Sequence, residues 1–149
     1  MKSPNLNQLS NLNPLSSRWL WPFCGLALFA VLTACGSAPP KDRGAQLYVG
    51  MCQSCHQSNG QGAKGLYAPL AGTPVPNGDP EEMISWILYG DRPASLPRGQ
   101  YSGAMPQFGF LSDQDAAAVA TFVRRSFGNN ASEVTPEVVA RVRARHTAR

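Results

Sequence analysis

Five consecutive residues, Cys52-Gln53-Ser54-Cys55-His56, place two thiols and an imidazole at a spacing that suits one particular chemistry. Two cysteines separated by two residues can add to the two vinyl groups of a single porphyrin. The imidazole of the next residue then lies under the iron and serves as its axial ligand. The pentapeptide therefore predicts one covalently attached haem c, bound through Cys52 and Cys55 and ligated by His56.

The same cysteine pair has two competing interpretations, a redox-active dithiol and half of a zinc site. A redox dithiol normally precedes a helix in a βαβ unit, and the sequence has no such alternation of strand and helix patterns. A four-coordinate zinc site needs two more cysteine or histidine ligands. The only other histidine is His146, near the C-terminus. Haem attachment is therefore the favoured interpretation.

Met105 is the candidate for the second axial ligand of the iron. It lies in a loop rich in glycine and proline, where Pro106 fixes the backbone beside the thioether. Met51 adjoins the first haem cysteine and cannot cross to the opposite face, and Met83 lies on the apolar side of a predicted helix, where core packing is the default role. His146 is the remaining alternative. Ligation by histidine and methionine raises the reduction potential, which favours a place late in a respiratory chain.

The N-terminal region has the composition of a signal peptide. A short apolar run follows Arg18 and ends in small residues, and it falls short of the about 20 apolar residues that span a bilayer. The sequence Leu-Thr-Ala-Cys that ends at Cys35 resembles the lipobox of bacterial lipoproteins, in which the cysteine becomes lipidated. We therefore predict a signal peptide at 1–34 and a lipid-anchored linker at 35–41, on the periplasmic side of a bacterial membrane. An uncleaved anchor and ordinary secretion are the alternatives.

The formal net charge of +4 is concentrated near the C-terminus. Between Cys35 and Val134 the chain has seven lysines and arginines against eight aspartates and glutamates, so the domain itself is nearly neutral. Four arginines beyond residue 140 alternate with valines, a pattern typical of the hydrated face of a terminal helix. We therefore predict no nucleic-acid partner.

Four segments have the periodicity and the capping residues of helices, and no segment alternates like a strand. They are residues 42–51, the segment that begins at Asp79-Pro80 and ends at Gly90, the segment from Ser112 to Phe127, and the basic segment that begins at Thr135-Pro136. The sequences at 59–79 and 92–105 are predicted to be loops that a cofactor orders. The sequence thus predicts an all-α protein with a domain at 42–130 and a basic helical extension at 131–149.

The stretch from Gly44 to Asn130 resembles a class I cytochrome c domain. The motifs that carry the resemblance occur in the family's order, and they are Leu47-Tyr48, the haem pentapeptide, Gly60-Gln61-Gly62, Pro69-Leu70-Ala71-Gly72, Met105-Pro106 and Leu111-Ser112-Asp113. The resemblance implies about four short helices wrapped around one covalent haem.

The same resemblance implies two contacts around the haem motif. Gly44 and Tyr48 are expected to pack against the helix near Phe122. The carbonyl of Pro69 is expected to help hold the cofactor by accepting a hydrogen bond from Nδ1 of His56, a device that fixes the orientation of a ligating imidazole.

Two further segments, 105–109 and 122–129, resemble the last haem domain in the cytochrome c subunits of periplasmic alcohol and related dehydrogenases. Those subunits usually carry three haem domains, and this chain carries one. The resemblance implies a single-electron carrier, not an enzyme, between a periplasmic dehydrogenase or quinol-oxidising complex and a downstream oxidase or cytochrome. A haem subunit of a dehydrogenase complex is the alternative, followed by a haem peroxidase or gas sensor and by a redox-silent subunit.

No catalytic residues are assigned, because the acidic pairs Glu81-Glu82 and Asp113/Asp115 lie in helix first turns, where acids are stabilising. Trp86, Tyr67 and Tyr101 suit the lining of a haem pocket and the packing of an ordinary core equally well.

Overall fold

In the computed structural model, residues 43–149 are described, and within them the chain is helical, with no strand beyond an isolated bridge between Ala63 and Tyr67. The helical elements are α1 (Arg43–Leu47), a π-helical turn (Tyr48–Cys52), α2 (Gln53–His56), α3 (Pro74–Asn77), α4 (Pro80–Tyr89), α5 (Asp113–Arg125) and α6 (Pro136–Thr147). None of these helices is long and apolar enough to cross a membrane. The all-α prediction is confirmed. The predicted signal peptide at 1–34, the linker at 35–41 and Cys35 lie outside the described residues.

The first three elements follow one another without a break and end at the haem pentapeptide. The predicted helix 42–51 therefore continues to His56, through a turn in which the Gln53 N–H donates to the Tyr48 carbonyl. The chain leaves this helix at Gln57, which has a φ of 65°. The Tyr48 hydroxyl donates a hydrogen bond of 2.6 Å to the Gln57 carbonyl. This bond fixes the point at which the cysteines and His56 emerge from the helix.

α1 crosses α5 at very short range, as the family resemblance implied. A β-carbon built on Gly44 would come within 2.8 Å of the Phe122 β-carbon, and it would also collide with the Ala118 carbonyl. The buried ring of Tyr48 lies 5.3 Å from the ring of Phe122 and 5.1 Å from that of Phe127. The expected packing of Gly44 and Tyr48 near Phe122 is therefore confirmed.

α4 begins and ends at its predicted capping residues, and α5 begins at its predicted cap but ends at Arg125, two residues before the predicted end at Phe127. The Asp79 carboxylate accepts a hydrogen bond of 2.8 Å from the Glu81 N–H at the start of α4, and Gly90 ends that helix with a φ of 77°. The Ser112 hydroxyl accepts a bond of 3.1 Å from the Asp115 N–H at the start of α5. These caps satisfy backbone groups that a helix end otherwise leaves unpaired.

A third helix in this region, α3, falls inside the predicted loop 59–79. It is a single turn with the sequence Pro-Val-Pro-Asn, and a proline at its first position is compatible with helical geometry. One turn is too short to produce a hydrophobic periodicity, which is why the sequence pattern indicated a loop.

Two buried polar side chains at the end of α5 hold the chain around α3. The Asn129 amide binds backbone or side-chain groups of Leu70, Gly72, Asn77 and Val123 at 2.8 to 3.0 Å. The Arg124 guanidinium donates to the carbonyls of Pro76, Gly78 and Ser132 at 2.8 to 2.9 Å. Residues 70–78 are therefore attached to α5 by hydrogen bonds as well as by apolar packing.

α6 packs on α4 and α5 through its valines and pairs its arginines with their acids. Val139 and Val142 are buried. Every arginine of the C-terminal segment lies near a carboxylate, and the pairs are Arg141 and Arg145 with Glu81, Arg143 with Asp113, and Arg149 with Asp91. The valine and arginine alternation thus gives one buried and one hydrated face, as predicted.

The crossing of α1 and α5 makes Gly44 sensitive to any added side chain. We expect Gly44→Val to lower the free energy of unfolding by about 1–3 kcal/mol, the range for overpacked sites. The matched control is Gly50→Ala, because a β-carbon at Gly50 would meet no atom within 4 Å. Urea denaturation of the haem-loaded protein measures both changes, and an equal loss in the two variants would contradict the role given to Gly44.

Candidate functional site

The thiols of Cys52 and Cys55 and the imidazole of His56 lie together at the end of the N-terminal helical segment. Cys52 is the last residue of the π-helical turn, and the other two belong to α2. Both cysteines are half-buried and make no disulfide, whereas the histidine is buried. The three groups that the sequence singled out therefore share one short piece of backbone.

The His56 ring is oriented by a backbone carbonyl, and that carbonyl belongs to Ala68. Nδ1 lies 2.9 Å from the Ala68 oxygen, and because a carbonyl only accepts, Nδ1 carries the proton. Nε2 is then left with a free lone pair. The prediction that the Pro69 carbonyl accepts this bond is wrong. That carbonyl instead accepts a bond of 3.2 Å from the Thr73 hydroxyl.

The fold of the loop explains this one-residue shift. The Gly62 N–H donates to the His56 carbonyl at 3.0 Å, and the Leu70 N–H donates to the Gly60 carbonyl at 2.7 Å. These bonds turn the loop back over α2. Successive carbonyls point in different directions, so when Ala68 faces the imidazole the carbonyl of Pro69 faces α3.

Burial keeps the His56 imidazole neutral. Removal from water lowers the pKa of His56 below its ordinary value, and the hydrogen bond with the Ala68 carbonyl opposes this shift without reversing it. A neutral ring with a proton on Nδ1 presents Nε2 as a metal ligand at physiological pH.

The environment of Cys52 differs from that of a redox-active dithiol. Burial, with a smaller effect from the neighbouring Cys55, raises the pKa of Cys52 to about 11. Redox-active dithiols instead depend on a lowered thiol pKa. Among residues 43–149, no three His, Cys, Asp or Glu side chains are grouped so that they could hold a metal ion. The two alternatives to haem attachment therefore find no support in the site.

Cys52, His56 and Met105 all face the same apolar interior. They line two cavities with shared walls, one reaching the core of the domain and one opening toward the loop that carries Met105. The rest of the shared wall is apolar or aromatic, and it is formed by Met51, Trp86 and Phe108. Two thiols, an unprotonated imidazole nitrogen and a thioether thus meet at the outer cavity, beside the apolar wall that it shares with the inner one, and this donor set fits haem c.

The other candidates for the second axial ligand occupy different places. His146 stacks on the ring of Tyr89, with 3.7 Å between ring centroids, and does not line either cavity. Met83 is buried in the core on α4 and reaches only the inner cavity. Of the methionines and His146, only Met51 and Met105 line both cavities, and Met51 adjoins Cys52. Met105 is therefore the candidate that the structure favours.

The segment that carries Met105 is attached to the loop that orients His56. The Gly103 N–H donates to the Leu66 carbonyl at 2.8 Å, and the Ser102 N–H donates to the Gly65 carbonyl at 3.1 Å. Gly103 also lies so close to the Tyr67 ring that a β-carbon added to Gly103 would collide with that ring. Residues 65–68 thus support the segment of one predicted iron ligand and orient the ring of the other.

The ambiguous aromatic residues are resolved by this geometry. Trp86 lines both cavities, and Tyr67 and Tyr101 line the outer one. Arg92 reaches the outer cavity and donates to the carbonyls of Leu96 and Pro97. The sequence left the three aromatic residues undecided between pocket lining and core packing, because their positions depend on how the loop 91–106 folds back across α4.

Comparison with known proteins agrees with this site. Residues 39–123 match the family described as cytochrome c oxidase, cbb3-type, subunit III. The chain is 36% identical over 107 residues to cytochrome c-552 of Thermus thermophilus, a match that covers 68% of this chain and 72% of that protein.

Two further relatives are much longer. The chain is 39% identical over 110 residues to the fructose dehydrogenase cytochrome subunit of Gluconobacter japonicus. This match covers 68% of this chain and 22% of that protein. It is 37% identical over 90 residues to the cytochrome c subunit of the quinone alcohol dehydrogenase of Gluconobacter oxydans. This match covers 59% of this chain and 19% of that protein. The chain thus spans about a fifth of the length of these subunits.

A helical fold, an apolar cavity with a haem c donor set and a family match over more than half of the chain lead to one assignment. The chain belongs to the cytochrome c family described as cytochrome c oxidase, cbb3-type, subunit III, and it is an electron-transfer cytochrome with covalently bound haem c.

Proposed function

We propose that this chain is a lipid-anchored carrier of single electrons, with one haem bound through Cys52 and Cys55 and ligated by His56 and Met105. The observation that carries the proposal is the meeting of these four side chains at the outer cavity, which shares an apolar wall with the inner one. When bound, the haem supplies the one-electron couple of its iron. The protein supplies the attachment, both axial ligands and an environment with little water.

Filling both axial positions determines what the site does. If His56 holds the iron through Nε2 and Met105 holds it through its thioether, no coordination position would be open to a substrate. The side chains that line the two cavities include no second histidine and no carboxylate. A peroxidase or a gas sensor needs an open distal position and, for peroxidase chemistry, groups that move protons. These features favour electron transfer over haem catalysis.

The longer relatives support one kind of electron donor. The cytochrome subunits of a fructose and an alcohol dehydrogenase are similar to this chain over one haem domain, which favours a dehydrogenase as its donor. The cytochrome c-552 match covers 68% of this chain and 72% of that protein, which supports the role of a cytochrome. We therefore propose a monohaem carrier that accepts electrons from a dehydrogenase or a quinol-oxidising complex and passes them to an oxidase or another cytochrome.

The place of action follows from the N-terminal sequence. Cys35 ends a lipobox-like tetrapeptide and precedes a short linker rich in glycine, serine and proline. Lipidation there would hold the haem domain on the periplasmic side of a bacterial membrane, within reach of membrane-bound donors.

Replacing Met105 tests the second axial ligand. We expect Met105→Ala to abolish the weak red absorption band that methionine coordination gives to Fe(III) haem, while the covalent haem remains. Met83→Leu is the matched control, because Met83 lines only the inner cavity and a leucine conserves its volume. Visible spectra of the oxidised proteins measure both, and a band that survives in Met105→Ala would contradict the assignment.

The contact between Gly103 and Tyr67 gives a second test of the same ligand. A β-carbon at Gly103 would lie 2.6 Å from the Leu66 carbonyl and collide with the Tyr67 ring, so it must displace the segment that carries Met105. We expect Gly103→Ala to destabilise the segment that carries Met105 by about 1–3 kcal/mol, the range for overpacked sites, so that Met105 leaves the iron more easily. The red band should then disappear at a lower denaturant concentration than in the wild type.

Ser102→Ala is the control for this variant, because it removes a hydroxyl contact of 3.2 Å and keeps the backbone bond of Ser102. Equal sensitivity of the two variants would show that crowding at Gly103 does not govern the ligand.

Lipidation is tested by metabolic labelling with palmitate in a bacterial host. The wild-type chain should become labelled and partition with the membranes, and Cys35→Ser should do neither, because only Cys35 follows the lipobox-like residues. Equal labelling of the two proteins would contradict lipidation at Cys35 and would not bear on the proposed haem site.

A further inference from the structure

Arg124 is a buried arginine near the haem cavity. Its side chain lies in the packed region between α5, α3 and the segment that leads to α6, and the residue is 2% exposed. The neighbouring Arg125 also belongs to the last turn of α5, but its side chain is 55% exposed. Two adjacent arginines on one helix therefore have opposite environments.

All hydrogen-bond acceptors of the buried guanidinium are neutral oxygens. They are the carbonyls of Pro76, Gly78 and Ser132 and, at 3.3 Å, the Ser132 hydroxyl. None of the ion pairs among the described residues includes Arg124. Asp79 is the carboxylate whose charge acts on it, from beyond ion-pair distance. Arginine keeps its proton in proteins, so the interior holds a positive charge without a direct counter-ion.

This charge lies behind one wall of the haem cavity. Arg124 follows Val123 in α5, and its acceptor Pro76 follows Val75 in α3. Both valines line the inner cavity, whereas Arg124 itself does not. The guanidinium therefore does not touch the cofactor and acts on it only through the field of its charge.

A fixed buried cation distinguishes the two oxidation states of a nearby haem. The haem carries one more positive charge when its iron is Fe(III) than when it is Fe(II), so the cation destabilises the oxidised state more. The effect is strong because charges in a protein interior are less screened than charges in water. We propose that the buried guanidinium of Arg124 raises the reduction potential of the haem and so adapts this cytochrome to accept electrons.

The inference rests on the proposed haem site, and a charge substitution at Arg124 tests it. We expect Arg124→Gln to lower the equilibrium constant of reduction about three- to tenfold, or roughly 30–60 mV at 59 mV per decade for one electron. The matched control is Arg125→Gln, which removes the same charge from a solvent-exposed position. Its reduction potential should stay close to that of the wild type. Redox titration of the full, haem-loaded chain measures all of these values.

Arg124 also holds residues 76 and 78 in place, so a third variant separates its charge from its packing. Asp79→Ser keeps a residue that caps α4 and removes the carboxylate that faces the guanidinium. The electrostatic effect requires the potential to rise in Asp79→Ser and to fall in Arg124→Gln. If the substitutions only loosened the packing around the cavity, the reduction potential would fall in both variants.

The outcomes are distinct. An unchanged potential in Arg124→Gln, an equal fall in Arg125→Gln, or no rise in Asp79→Ser would overturn the inference. If Arg124→Gln does not take up haem, a reduction potential that fails to rise in Asp79→Ser overturns the inference on its own. A wild-type protein without covalent haem or without the red band of methionine coordination would instead contradict the proposed function.

Discussion

The hydrogen bond between Nδ1 of His56 and the carbonyl of Ala68 is the constraint on which the site depends. It fixes the tautomer of the ring, and it attaches α2 to the loop 60–72. The same loop binds the Met105 segment through the carbonyls of Gly65 and Leu66. One stretch of backbone therefore sets the geometry on both sides of the cavity. The close packing of α1 on α5 at Gly44 fixes the position of the helical segment that continues into α2.

Much of this architecture could be predicted because its signals are local. The haem pentapeptide lies within five residues, and the caps at Asp79, Gly90 and Ser112 depend only on the first or last turn of a helix. Eliminating the other methionines predicts Met105 and leaves His146 as the alternative, and the structure places Met105 at the cavity. Its coordination of the iron stays a prediction, as does the assignment of Cys52 and Cys55 as the two points of haem attachment.

The features that the sequence did not reveal depend on long-range contacts. Whether Ala68 or Pro69 meets His56 is set by bonds from Gly62 and Leu70 that turn the loop back on itself. Arg124 and Arg125 are identical in type and adjacent in sequence, yet one is buried and the other exposed. A local pattern cannot separate them, because the burial of Arg124 is caused by carbonyls of Pro76 and Gly78, more than 40 positions away.

The pairing of the α6 arginines with acids changes how the charge of the molecule acts at a distance. Arg143 lies 2.7 Å from Asp113, and Arg141 lies 3.2 Å from Glu81. At separations longer than these, such a pair acts as a dipole, whose field falls off with distance faster than that of a single charge. The number of arginines in the C-terminal segment therefore overstates the positive field that this cytochrome presents to an acidic surface. Its rate of encounter with a redox partner should accordingly depend on ionic strength less than that number of arginines suggests.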